Sequence, residues 1–161
     1  MTKMNDDGGL IGMRTEDLRV QALKNPLGIN ENPVFSWQLV SDKKDEKNER
    51  QTAYRILVSE SEASLINETG MLWDSGVVKE SRCFGILYQG KKLHSAQKAY
   101  WKVMVWDGEN QASVWSETAS FETGLLERED WKGTWIGQGE DYENQELAPV
   151  LVGEFEVADL E

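Results

Sequence analysis

A long succession of short alternating apolar runs, each closed by turn residues, constrains this chain more than any other feature of its 161 residues. The runs follow one another over residues 18–123 with almost no helical pattern between them. Strands that alternate in this way and are separated by turns indicate two packed antiparallel sheets. A new strand-like pattern opens at residues 131–136 and returns at residues 155–157, and about thirty residues are too few to bury a core of their own. The sequence therefore predicts one complete β-sandwich followed by the first strands of a truncated second β-domain.

Seven segments carry the strand pattern, and one short segment carries a helical one. Period-two alternation assigns Trp37 and Trp101 to faces that point into the core. Ser61 is an acceptable N-cap for a helix over residues 61–68, and Gly70 is placed to end it. Residues 42–50 contain no apolar side chain and read as an exposed connection. The predicted strands are residues 18–23, 35–39, 51–59, 73–74, 83–88, 99–107 and 118–123.

These patterns divide the chain into three parts. We expect residues 1–17 to be a disordered or extended N-terminal segment, and residues 18–124 to be the sandwich. Residues 125–161 are expected to be a linker and the opening strands of the following β-domain.

Charge and cysteine content narrow the classes of partner and compartment. The chain has 29 acidic and 17 basic residues, for a formal net charge of −12. Such a surface repels phosphate backbones and anionic lipid, so we expect neither nucleic acid nor membrane as a partner. Cys83 is the only cysteine, which excludes an intrachain disulfide and a cysteine-based zinc site. No signal-peptide or membrane-spanning run is present, and the expected location is cytoplasmic.

The sequence offers no group of residues that predicts catalysis, a cofactor or a metal. Glycoside hydrolysis needs two carboxyls on either side of the scissile bond, and nothing in the sequence selects a pair. The acidic clusters at residues 127–130 and 140–143 are typical of a solvated surface. His94 lies in a loop-like segment without partner ligands, and Cys83 is best explained as a small buried apolar side chain.

An apolar set of side chains on the outward face of two strands is the one candidate binding surface. Tyr100, Met104 and Trp106 share the face of their strand that points away from the core, and Leu57 is expected to extend it. Exposed apolar patches mark partner surfaces more often than chance. We favour a neighbouring domain as the partner, and a sugar stacked on the aromatic rings is the alternative.

Many short segments follow one another in an order that is specific as a set, although no single segment is. They are Asn25-Pro26-Leu27-Gly28-Ile29, Pro33-Val34-Phe35-Ser36-Trp37, Gln51-Thr52-Ala53-Tyr54-Arg55-Ile56-Leu57-Val58, Leu72-Trp73-Asp74-Ser75-Gly76, Tyr88-Gln89-Gly90, Leu93, Tyr100-Trp101-Lys102-Val103, Val105-Trp106-Asp107, Trp115-Ser116 and Phe121-Glu122-Thr123-Gly124-Leu125-Leu126. This set resembles the N-terminal region of bacterial α-L-rhamnosidases. Further residues resemble the start of that family's next β-domain, namely Asp130-Trp131-Lys132 with Trp135-Ile136, and Pro149 with Phe155.

The resemblance implies an immunoglobulin-like sandwich of the fibronectin type III kind, with further β-domains and a catalytic (α/α)6 barrel later in the polypeptide. Inverting hydrolysis of terminal α-L-rhamnose then belongs to the parent enzyme, and this part is expected to be an inactive scaffold that contacts the downstream domains. A carbohydrate-binding module and a fibronectin-type protein interaction module are the alternatives, and self-association is a further expectation. The sequence departs from this fold at the tyrosine corner, which usually has an inward-facing tyrosine six residues after a leucine. Six residues after Leu93 is Ala99, and Tyr100 falls on the outer face.

Overall fold

The structure, a computed structural model, describes residues 12–41, 50–134 and 152–153. In these residues it contains seven strands, one α-helix and one 3-10 turn at Arg128–Asp130. Each predicted strand segment overlaps an observed one. The elements are β1 (Met13–Val20), β2 (Val34–Ser41), β3 (Ala53–Ser59), α1 (Glu62–Asn67), β4 (Trp73–Asp74), β5 (Ile86–Leu87), β6 (Lys98–Trp106) and β7 (Ala119–Glu122).

The strands form two antiparallel sheets, which confirms the predicted all-β sandwich of the immunoglobulin class. One sheet has the order β1-β2-β5 and the other has the order β4-β3-β6-β7. The longest pairing joins β3 and β6, where Ile56 lies opposite Val103 and Val58 opposite Trp101. β3 and β6 are the two central strands of the four-stranded sheet.

The core lies between the two sheets and is rich in aromatic rings. Phe35 of β2 occupies its centre, with its ring centroid 4.6 Å from that of Trp101 and 6.0 Å from that of Phe121. Trp37 and Trp101 are both buried, as the alternation of their strands predicts. The indole nitrogen of Trp37 donates to Gln51 Oε1 at 3.0 Å, and Gln51 is itself buried.

The first strand lies earlier in the sequence than predicted. β1 begins at Met13 and ends at Val20, whereas the prediction was residues 18–23. Gln21 and Ala22 have φ values of 50° and 61°, in the left-handed region, so the chain turns where the apolar pattern continues. Neither residue is a glycine, and the sequence therefore carries no signal for this turn.

The predicted helix is present, with Ser61 as its N-cap: Ser61 Oγ accepts the backbone N–H of Ser64 at 3.1 Å. The helix ends earlier than predicted, because its C-cap is Glu68, with a φ of 52°, and not Gly70. α1 packs against β3 and β6. Its Leu65 is fully buried yet does not belong to the core between the sheets, so the helix covers part of the outer surface of the four-stranded sheet.

The chain divides into two compact units, Met1–Trp131 and Lys132–Glu161. Most of the second unit lies outside the described residues, so the predicted opening strands of a following domain stay a prediction. The predicted N-terminal segment and the connection at residues 42–50 also fall largely outside them, although residues 13–17 belong to β1. In the described residues no helix is long and apolar enough to cross a bilayer.

Candidate functional site

The outer surface of the four-stranded sheet contains the four residues that the sequence selected for binding. Tyr100, Met104 and Trp106 alternate along β6 with core residues, are half-buried and lie outside the core cluster. Leu57 is different, because it is fully buried although it too lies outside the core cluster. Helix α1 packs over this part of the sheet, so Leu57 does not extend the surface as predicted.

A tryptophan that the sequence analysis did not single out crosses this surface. Trp115 precedes β7 and is held by two serines spaced three residues apart, Ser113 and Ser116. Ser116 donates its N–H to Val103 O at 2.9 Å and accepts the Val103 N–H on its hydroxyl at 3.0 Å. Ser113 makes the same pair of hydrogen bonds with Val105: its N–H donates to Val105 O at 2.8 Å, and its hydroxyl accepts the Val105 N–H at 3.1 Å. The two hydroxyls therefore replace a regular strand partner along the edge of β6 and fix the position of Trp115.

Two cations lie against the ring of Trp115. Lys102 Nζ lies 4.6 Å from the ring centroid, and the guanidinium carbon of Arg55 lies 5.7 Å from it. Arg55 also holds Asp74 through two hydrogen bonds of 2.9 and 2.7 Å. The aromatic face is therefore already in contact with cations of the domain itself.

Burial and ion pairing shift the pKa values of the charged side chains around Trp115. Burial lowers the pKa of Lys102, which is only 8% exposed and has Glu68 Oε1 at 3.9 Å. The hydrogen bond from Arg55 lowers the pKa of Asp74 and raises that of the guanidinium. The group therefore holds charges of both signs close together on the outer surface of the sheet.

The other sequence candidates lie elsewhere in the fold, and the acidic segment at residues 127–130 contacts the loop that contains His94. His94 is exposed in the loop before β6, as predicted. Cys83 is half-buried at the margin of the core, so it is less buried than expected. Among the described acidic residues, Glu127 is exposed and pairs with Lys92 at 2.9 Å, while residues 140–143 lie outside the described residues. In the described ranges no three His, Cys, Asp or Glu side chains are placed to hold a metal ion.

Among the described residues, Tyr88 is a tyrosine whose hydroxyl bonds to the backbone of a neighbouring loop, which is the kind of contact that a tyrosine corner makes. Tyr88 is buried, and its hydroxyl donates to Lys91 O at 2.8 Å. Burial raises the pKa of Tyr88 to about 12. Gly90 is required beside it, because a Cβ there would lie 2.5 Å from the Tyr88 hydroxyl oxygen and from Leu72 O. This packing explains the spacing of Tyr88-Gln89-Gly90 in physical terms.

A cleft of about 520 Å³ runs along the open side of the sandwich, between β1 and the segment that precedes β7. Its lining combines apolar residues with small polar residues and charges of both signs. Residues of β1 on one side include Arg14, Thr15, Glu16 and Asp17, and Val114 and Thr118 are on the other. Nothing in the sequence pattern indicated this cleft, because it lies between residues about one hundred positions apart.

The sequence of the chain matches the family model described as the Rha78A-like, N-terminal immunoglobulin domain over residues 15–127. The chain belongs to this family. The match covers all seven strands in part or in full and most of the described residues.

Solved structures of two α-L-rhamnosidases are similar to this Rha78A-like domain. The α-L-rhamnosidase from Dictyoglumus thermophilum superposes with a TM-score of 0.73 at 38% identity, covering 87% of this chain and 15% of its own. The Streptomyces avermitilis enzyme complexed with L-rhamnose gives a TM-score of 0.72 at 32% identity, over 79% of this chain and 12% of its own.

In the curated relatives, too, the region that matches this chain is a small part of the protein. An α-L-rhamnosidase of Alteromonas sp. is 43% identical over 114 residues, which are 70% of this chain and 12% of that protein. One from Formosa agariphila is 42% identical over 73% of this chain and again 12% of its own length. The chain thus spans about one eighth of the length of the curated relatives that it matches.

Proposed function

We propose that this chain is a non-catalytic structural domain of an α-L-rhamnosidase and that it positions neighbouring parts of the same polypeptide. The longer polypeptide would hydrolyse terminal α-L-rhamnose from glycosides. The observation that carries the proposal is the 12% share of each curated rhamnosidase that matches this chain, together with a family model that describes an N-terminal domain. Most of each relative therefore lies outside the matched region and has room for the catalytic machinery.

The ion pairs and pKa shifts of the described carboxyls support a non-catalytic role. A glycosidase needs a general acid whose pKa is raised, facing a second carboxyl across the substrate. Three described carboxyls have a lowered pKa: a hydrogen bond from Lys24 lowers that of Asp17, one from Arg55 that of Asp74 and one from Arg82 that of Glu80. These carboxylates are committed to ion pairs, which favours a structural function for them.

The outer face formed by Tyr100, Met104 and Trp106 is the surface that we assign to a neighbouring part of the polypeptide. It is apolar but only half-buried within this domain, and a covering partner would bury the remainder. A sugar is the weaker candidate, because cations of the domain already lie against two aromatic rings on or beside this face. Lys98 Nζ lies 5.4 Å from the ring centroid of Tyr100, and the ring of Trp115 contacts Lys102 and Arg55.

The natural reading frame tests this proposal. We expect it to continue for several hundred residues beyond Glu161 and to include the acidic residues of a glycosidase. A stop codon directly after Glu161 would contradict the role as one domain of a rhamnosidase.

Calorimetric titration with L-rhamnose and with a rhamnose-containing oligosaccharide tests the carbohydrate-binding alternative on this chain alone. We expect no saturable heat. Saturable binding that Trp106→Ala abolishes would assign the outer face to sugar instead of to a neighbouring domain.

A further inference from the structure

The chain does not leave the sandwich where its seventh strand ends. Thr123 follows β7 directly and is only 3% exposed. Its hydroxyl donates to His94 O at 2.5 Å and accepts the Gln97 N–H at 2.8 Å. Gly124 then donates its N–H to Ile29 O at 2.8 Å. Residues 123–124 are therefore bound both to the loop before β6 and to the segment that precedes β2.

Ser95 continues this attachment beyond Gly124. Its hydroxyl accepts the Leu126 N–H at 2.7 Å and donates to Asp130 Oδ2. The same carboxylate oxygen accepts the Glu127 N–H at 3.3 Å. The Leu126 side chain packs against the core cluster. Because a serine hydroxyl can donate and accept at once, this one group joins both ends of the segment that contains the 3-10 turn to the loop before β6.

The hydrogen bonds of Ser95 should hold this segment more firmly than the ion pair beside it. Ser95 and Asp130 are half-buried, and a hydrogen bond to a carboxylate is stronger than one between neutral groups. Lys92 Nζ lies 2.9 Å from Glu127 Oε1, but the two side chains are 79% and 56% exposed. Exposed ion pairs contribute little, because water and salt screen them. Ser95 is therefore the side chain on which the attachment mainly depends.

We propose that residues 123–130 form an exit clamp, a segment that moves with the sandwich as one body, and that Ser95 is the positioning residue that holds it. The chain then leaves the sandwich after Asp130 and in a fixed direction, and residues 125–130 belong to the domain instead of to a linker. A domain that positions neighbouring parts of its polypeptide needs such a fixed exit. This consequence rests on the proposed function, whereas the clamp itself does not.

Gly124 permits the close backbone approach at which the exit clamp begins. A Cβ at this position would lie 3.1 Å from Gly28 O, which is tighter than most side chains tolerate. The Ala96 N–H donates to Gly124 O at 3.0 Å, so the loop before β6 meets Gly124 through its backbone immediately beside Ser95. Backbone hydrogen bonds thus fix the start of the clamp, and the Ser95 hydroxyl fixes the remainder. Loss of that hydroxyl should release residues 126–130 and leave residues 123–124 in place.

Backbone 15N relaxation of the 161-residue chain tests the exit clamp. We expect the amides of residues 123–130 to have order parameters of about 0.85, equal to those of β6, because rigid backbone has such values. Ser95→Ala removes both hydrogen bonds and should lower the order parameters of residues 126–130 to about 0.6 or below, while residues 123–124 keep theirs. Ser95→Thr retains a hydroxyl and should retain the order. Lys92→Ala removes only the exposed ion pair and is the matched control, which should change nothing.

Low order parameters at residues 123–130 of the wild-type chain would overturn the exit clamp, and this measurement requires no variant to fold. A Ser95→Ala chain that keeps these residues as ordered as β6 would overturn the role of Ser95. Equal loosening by Ser95→Thr would assign the effect to packing at residue 95 instead of to its hydroxyl, and equal loosening by Lys92→Ala would assign it to the ion pair. Either result contradicts the proposal. A flexible exit in a chain whose reading frame continues into a rhamnosidase would remove the clamp alone, so its failure and that of the proposed function are distinguishable.

Discussion

Replacing Gln51 with leucine should destabilise the domain more than a single side-chain hydrogen bond normally does. Gln51 is 1% exposed and links three parts of the sandwich. Its Oε1 accepts the indole N–H of Trp37 in β2 at 3.0 Å, while its Nε2 donates to Glu80 O at 3.2 Å and to Arg82 O at 2.8 Å. Leucine fills a similar volume but satisfies none of these groups.

The size of the effect follows from the groups that lose a partner. A buried polar group left unsatisfied costs about 1–3 kcal/mol. The Trp37 indole N–H is buried, and the two carbonyls are partly buried, so we expect the free energy of unfolding to fall by about 2–4 kcal/mol. That loss is a large part of the roughly 5–15 kcal/mol that stabilises a typical domain.

Urea unfolding followed by far-UV circular dichroism measures this loss. Trp37→Phe removes the donor, and its cost in the Gln51→Leu background should be about 1–2 kcal/mol smaller than its cost in the wild-type chain. Gln89→Leu is the matched control at an exposed position and should change stability by less than about 0.5 kcal/mol. A Gln51→Leu chain as stable as the control, or strictly additive costs of the two substitutions, would refute this account of the buried network.

Further predictions concern the core, the serine pair and the acid limb of stability. Trp101→Ala should cost about 3–5 kcal/mol, seen as a lower urea midpoint, and an unchanged midpoint would mean that the faces of β6 are reversed. Ser116→Ala leaves the Val103 N–H without its acceptor and should cost about 1–3 kcal/mol in the same assay, whereas Ser120→Ala, whose hydroxyl makes no hydrogen bond among the described residues, should be near neutral. The Arg55 hydrogen bond lowers the pKa of Asp74 below its ordinary value of 3.8, so its contribution is present above that pH and is lost as the pH falls through the folded-state pKa. Asp74→Asn should therefore flatten the decline of thermal stability below about pH 4, and an unchanged pH profile would show that the pair does not contribute.

Alternation of apolar residues predicted most of the sandwich because each central strand has one face in the core. β6 shows this most clearly, since Ala99, Trp101, Val103 and Val105 are all buried. The same reasoning failed at Leu57, because alternation assigns a residue to a face but does not show what packs on that face. Helix α1 buries Leu57 from outside, and only the three-dimensional arrangement shows this contact.

The start of β1 and the position of Trp115 were missed for different physical reasons. Residues 13–16 bury Met13 and Thr15, but only Met13 is a large apolar side chain, so the sequence shows no apolar alternation there. Trp115 is placed by hydroxyls bonded to the backbone of β6, an interaction with no period in the sequence. The spacing of Ser113 and Ser116 around a tryptophan is the one sequence signal available, and it gains meaning only once the neighbouring strand is known.

Release of chromophore from an aryl α-L-rhamnoside by the isolated 161-residue chain tests the central claim most directly. Since the proposed role is structural, we expect no turnover above the buffer rate even at high protein concentration. Turnover that is proportional to protein concentration and is abolished by a single Asp or Glu substitution within this chain would contradict the account.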